Sequence, residues 1–126
     1  MTGFYTNSDG IEIEINGTRS EWISFVQKSL HSYESVILDY SLDPDPYDQV
    51  ARKIDFEITS SSAVEFRVAT PQNIRFSGGE ESFRRLQRFL SGFPETFDVG
   101  DHIHIDSAED FISDNSASLV AVMLDG

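Results

Sequence analysis

A block that occurs twice constrains this chain more than any other feature. Residues 13–33 read as strand, tight turn and amphipathic helix, and residues 74–93 read the same way sixty-one positions later. Gly17 answers Gly78, Trp22 answers Phe83 and Phe25 answers Leu86, and a short hydrophobic strand follows each helix. Two such units in 126 residues predict one sheet carrying two helices. That leaves function to the exposed surfaces of the scaffold. The length fits a single domain over residues 1–126. At this size folding buries roughly two-thirds of the unfolded chain's surface, enough for a core.

The strands are legible through their alternation. In Ile11-Glu12-Ile13-Glu14-Ile15 the isoleucines face a core and the glutamates face water. Asn7-Ser8-Asp9-Gly10 is a turn cluster placed to close a hairpin between residues 4–6 and 11–15. Thr18 and Glu21 have the spacing of a capping box. The helix that follows sets Trp22, Phe25, Val26, Leu30 and Tyr33 on one stripe. Further strands are expected over 36–42, 53–59, 64–69, 74–76, 102–106 and 119–124. The second helix is expected to start near Gly78-Gly79 and to bury Phe83, Leu86, Leu90 and Phe93. Glu80 and Glu81 stand four residues before Arg84 and Arg85, the favourable order for helical ion pairs.

Alternating strands belong to sheets covered on one face. The expected architecture is therefore α+β: a single, mostly antiparallel sheet with both helices on one side, a two-layer sandwich of two β-turn-α-β units. The last strand, Leu119-Val120-Ala121-Val122-Met123-Leu124, is apolar on both faces and is expected to lie centrally or to be covered.

Charge is the strongest bulk signal. Nine Lys and Arg stand against 22 Asp and Glu, a net charge of −13. Such a surface repels nucleic acid and anionic membrane, and attracts basic proteins. The chain has no cysteine, which removes disulfides, thiol catalysis and cysteine zinc sites. The N-terminus has no basic region followed by an apolar run, and no segment approaches the roughly 18 apolar residues of a membrane span. The expected compartment is the cytoplasm, and Asn16-Gly17-Thr18 then reads as a turn, although it matches a glycosylation pattern.

Few constellations carry chemistry. His102-x-His104-x-Asp106 puts three polar side chains on one face of a strand, with alternate residues about 6.5–7 Å apart. Two imidazoles and a carboxylate suit zinc or a non-haem metal, but no further ligand or base is evident nearby. The simpler reading is a polar pair on a solvated strand. Ser77-Gly78-Gly79 resembles a phosphate cradle only superficially. It fits neither Gly-rich nucleotide motif, and Glu80 and Glu81 occupy the place of the anion. Arg84, Arg85 and Arg88 form a patch that neighbouring glutamates neutralise. No G-x-S-x-G nucleophile motif occurs. These readings predict no catalytic residue, no metal and no cofactor.

What remains is acidic surface. Asp43, Asp45, Tyr47 and Asp48 cluster in a loop stiffened by Pro44 and Pro46, and such loops lose little entropy on binding. Asp101, His102, His104 and Asp106 form the second candidate contact set. A tyrosine among carboxylates suits an interface with a basic partner.

The segment from Ile74-Arg75-Phe76-Ser77-Gly78-Gly79 through Phe83 and Leu90, with His102-Ile103-His104-Ile105-Asp106 and the closing Ser118-Leu119-Val120-Ala121-Val122-Met123, resembles small immunity proteins of bacterial polymorphic toxin systems. The resemblance covers roughly the C-terminal 55 residues of the chain; the Asp-Pro-Asp-Pro loop has no counterpart in it. It implies a non-catalytic inhibitor that binds a cognate toxin made by the same cell, with a nuclease as the expected type. Nuclease toxins bind polyanions and tend to be basic, so an acidic inhibitor meets them with steered association. Two other readings stay open on the residues: a nucleic-acid mimic that inhibits a DNA-binding protein, and a metal-dependent enzyme using His102 and His104.

Overall fold

The computed structural model describes residues 3–6, 12–38, 49–70 and 73–125. Its class is α+β, and the strand-turn-helix block does occur twice. The first copy is β2 (Glu12–Thr18) and a first helix beginning at Arg19; the second is β7 (Asn73–Gly78) and a second helix over Glu80–Ser91. Each β2 or β7 strand has an antiparallel neighbour just before it in the chain, β1 (Gly3–Thr6) and β6 (Glu65–Thr70).

The single expected sheet is instead two. One has five strands in the order β4-β1-β2-β9-β8, the other four in the order β3-β5-β7-β6. The remaining strands are β3 (Val36–Ile37), β4 (Gln49–Val50), β5 (Lys53–Ile58), β8 (His102–Ile105) and β9 (Ser118–Leu124). Alternation cannot separate the two architectures. It reports one buried face per strand, and that face is the same for one covered sheet as for two sheets sharing a core.

The connections explain the split. After β2 and the first helix, the chain enters the four-stranded sheet, where β3 pairs with β5. After β7 and the second helix it returns to the five-stranded sheet, where β8 pairs with β9. Each sheet therefore holds the hairpin of one unit and the closing strands of the other. The exchanged strand lies parallel to the hairpin in both cases: β9 on β2, with Ile13 opposite Leu119 and Gly17 opposite Met123, and β5 on β7, with Ile74 opposite Ile54 and Gly78 opposite Ile58. The other pairings are antiparallel. β9 lies between β2 and β8, the central place its two apolar faces predict.

Both sheets and both helices feed one core. Trp22 is fully buried, meets Phe25 and Phe93 edge-on, and donates its indole N–H to the Val122 carbonyl of the five-stranded sheet at 2.9 Å. Phe25 and Phe83 reach the other sheet through Phe76 and Phe56. Burying each such aromatic contributes roughly 1.5–3 kcal/mol before strain and entropy are counted. Gln87 ties the helices together, donating to the Val26 carbonyl at 2.9 Å.

The helix ends differ. Thr18 caps the first helix with a full capping box with Glu21. That helix runs α-helical over Arg19–Ser24, widens to a π-helix over Phe25–Ser29, and closes over Leu30–Ser32. Tyr33 ends it in the left-handed region at φ 61, with its N–H on the Ser29 carbonyl and its ring 5.4 Å from Phe83. The second helix has Gly79 at its N-cap and no side-chain cap. A short helix, Phe93–Thr96, follows it with Pro94 in its first turn. Phe93, expected on the second helix, belongs to this turn and is still buried.

Candidate functional site

The His-x-His strand is built by a tight turn on one side and a polar turn on the other. Before it, Asp101 donates its N–H to the Asp98 carbonyl at 3.0 Å, and Asp101 Oδ2 accepts from the Asp98 N–H at 2.8 Å. Gly100 sits at φ 89, a conformation that favours glycine. Its N–H reaches the Met123 carbonyl while the Met123 N–H reaches the Asp101 carbonyl. Two residues thus oppose one, the arrangement of a G1 bulge, which twists the strand as it begins. After the strand, Asp106 Oδ1 accepts from Ala108 N–H at 2.9 Å and the Asp106 carbonyl accepts from Glu109 N–H. Asp101 and Asp106, chosen from the sequence as contact residues, therefore also shape the turns that frame β8.

His102 and His104 are both exposed, on the face of β8 opposite Ile105 in the core. Their rings lie 5.2 Å apart and nearly perpendicular. The register continues two rows across the sheet: Glu14, Val120 and His104 in one, Asn16, Val122 and His102 in the other. Asn16 is 9% exposed, and its Oδ1 has no hydrogen-bond partner among the described residues. Among the described residues no group of three His, Asp or Glu side chains converges to hold a metal ion. The other candidates, Asp43, Asp45, Tyr47 and Asp48, lie outside the described residues.

The sequence that carries this strand is one-sided in charge, and the nearby cation is Arg19 of the first helix, which donates to the Pro94 carbonyl and, at 2.8 Å, to the Phe97 carbonyl beside Asp98. No Lys or Arg follows Arg88, whereas Glu95, Asp98, Asp101, Asp106, Glu109, Asp110, Asp114 and Asp125 do. Among the described residues only Asp110 of these has an ion pair, with Arg85 of the second helix. The Arg85 guanidinium holds the Asp110 carboxyl below the usual carboxylate range, first through their hydrogen bond and then through its charge. The same hydrogen bond raises Arg85.

The basic patch on the second helix is neutralised as expected: the Glu80–Arg84 pair forms, while Glu81 pairs with Arg84 and Arg88 in place of Arg85. Glu80 reaches Arg84 at 4.0 Å, and Glu81 reaches Arg84 at 2.9 Å and Arg88 at 3.3 Å. Arg85 leaves the helix to meet Asp110 and stacks over Phe111, its Cζ 5.5 Å from the ring centre. The Gly78-Gly79 turn borders an open groove of about 580 Å³ lined by residues 58–62 and Glu80, Glu81 and Arg85. The Gly79 N–H is committed to the Ser61 carbonyl at 3.0 Å, and two glutamates stand at the mouth. The turn starts a helix and offers no anion a cradle.

Sequence reasoning missed the edge position of β8. In the five-stranded sheet the far edge is β4, two residues long, which covers the outer side of β1. In the four-stranded sheet the outer side of β6 is occupied: Ala117 N–H bonds the Phe66 carbonyl, Phe66 N–H bonds Ser116 Oγ, and Val64 exchanges bonds with residues 111 and 113. β8 pairs with β9 alone among the described residues. No local signal in the sequence marks this, because an edge is defined by which distant strands are absent from it.

No helix among the described residues is long and apolar enough to cross a membrane. Comparison with protein-family models, with curated proteins and with solved structures finds no match.

Proposed function

We propose that this chain is a binding protein that neutralises a basic protein toxin, a nuclease being the expected type, through its acidic surface and without turnover. The observation that carries the reading is the run of exposed and half-buried carboxylates around β8. No Lys or Arg follows Arg88, and Asp98, Asp101 and Asp106 make no ion pair among the described residues. Uncompensated charge of one sign raises the rate at which an oppositely charged partner finds the surface, and it costs stability that a neutral surface would not. The arginines of the second helix are matched by Glu80, Glu81 and Asp110. The field of the molecule is thus set by the carboxylates.

The partner we propose is the one that the resemblance to immunity proteins implies: a toxin made by the same cell. Asp101, His102, His104 and Asp106 are the contact residues proposed within the described part, and Asp43, Asp45, Tyr47 and Asp48 extend the set. The test is coexpression with the product of the neighbouring upstream gene. The expected result is rescue of growth and copurification at low salt. A toxic neighbour that this chain neither rescues nor binds contradicts the reading.

A further inference from the structure

The free side of β8 is a row of main-chain groups with no partner among the described residues. The bond from Met123 N–H to the Asp101 carbonyl fixes the phase of the ladder. Antiparallel pairing alternates, so Ile103 and Ile105 turn their N–H and C=O groups toward β9, and His102 and His104 turn theirs outward. Exposed edges of this kind template pairing with another chain, and proteins ordinarily shorten or cover them. Here β4 lines β1 and residues 111–117 line β6, while β3 is two residues long. β8 keeps four residues and, among the described residues, an open side.

We propose that β8 receives an extended basic segment of the partner protein as a sixth strand of the sheet. This rests on the reading above that the partner is a basic protein. Main-chain bonds to His102 and His104 supply the pairing, and side chains set the specificity. Asp101 and Asp106 stand at the two ends of the strand and fit Lys or Arg. Between them, half-buried Ile103 offers an apolar contact on the opposite face from the imidazoles. The segment that fits alternates basic and apolar residues. A second copy of this chain is disfavoured as the occupant. Pairing β8 with itself brings Asp101 and Asp106 of both copies together, on molecules that each carry −13.

The test uses the full chain and a synthetic seven-residue peptide of alternating Lys and Val, beside the same peptide N-methylated at every amide, so that neither edge can donate. N-methylation keeps the charge and removes pairing. The parent peptide is expected to bind at low salt, to slow hydrogen exchange at the His102 and His104 amides, and to bind at least ten-fold more tightly than its methylated form. His104→Pro removes only an outward N–H, a position where edge strands tolerate proline, and is expected to weaken parent binding at least ten-fold. His104→Ala keeps the N–H and is expected to change it less than three-fold. Equal binding of both peptides, or of wild type and His104→Pro, overturns the edge pairing and leaves charge-driven association standing. No binding of the parent peptide overturns it as well. A wild-type dimer in sedimentation that His104→Pro dissolves assigns the edge to a second copy instead. Loss of neutralisation in the coexpression experiment is a separate result and bears on the function itself.

Discussion

In the first unit Thr18 caps its helix with its own hydroxyl; in the second, Gly79 stands at the same place and caps nothing. A side chain at Gly79 has no room, because a Cβ there comes within 2.6 Å of the Ser61 carbonyl. The serine link between β5 and β6 passes over that turn and closes it with a main-chain bond from Gly79 to Ser61. The two units thus keep the same buried pattern, Trp22 for Phe83 and Phe25 for Leu86, while their rims diverge. The closing strand after the first helix is two residues with exposed Ile37; after the second it is the His-x-His edge amid carboxylates. Burial fixes what the repeats share, and the surroundings of each turn and edge fix what separates them.

The largest effect that bears on this comparison lies in the core. Trp22→Ala and Phe83→Ala each remove a fully buried aromatic at the equivalent place and are expected to cost about 3–5 kcal/mol in urea unfolding. Trp22 also loses its bond to Val122, so it is expected to be the costlier. A loss below 1 kcal/mol at either position breaks the equivalence. Next come the caps. Thr18→Ala is expected to cost about 1 kcal/mol. Gly79→Thr, which restores the residue of the other unit, is expected to cost about 1–3 kcal/mol through the clash; a gain in stability there contradicts the steric account. Asn16→Val removes a buried acceptor that has no partner among the described residues and is expected to raise stability by about 1 kcal/mol. An unchanged midpoint means that Asn16 is satisfied in solution.

The smallest effect concerns Asp110. Its folded-state pKa is lowered by Arg85. The pair therefore contributes stability above the ordinary carboxylate range, and that contribution fades as pH falls through the lowered value. Both side chains are at the surface, so the sign is tested by titration and not by unfolding. In a carboxyl NMR titration Arg85→Gln is expected to move Asp110 upward toward the usual range, and an unmoved midpoint refutes the pairing.

Much of this was legible in the sequence. Apolar periodicity located both helices and their buried faces. The Thr18–Glu21 spacing gave the cap, and the two-faced apolar run placed β9 at the centre. Long-range choices were not legible. Arg85 was expected to pair with Glu81 along the helix and instead crosses to Asp110 on another segment. β5 and β6 follow one another in the chain, but β7 lies between them. The strand exchange between the sheets leaves no trace in alternation, since each exchanged strand buries its core face whichever sheet it joins. Of the candidate site, the His-x-His pattern and its acidic neighbours were visible. The double duty of Asp101 and Asp106 was not, because it depends on the Gly100 bulge and on the turn into residue 109.

The central claim is that carboxylates around β8 draw a basic partner to this surface. The most direct measurement is the association rate with the toxin of the neighbouring gene across ionic strengths, for the wild type and for Asp101→Asn/Asp106→Asn. Asparagine retains an oxygen for the turn bonds and removes the charge. The account predicts a rate that falls steeply with salt in the wild type and is slower with a shallower salt dependence in the variant. A wild-type rate indifferent to salt, or a variant with the wild-type slope, contradicts it.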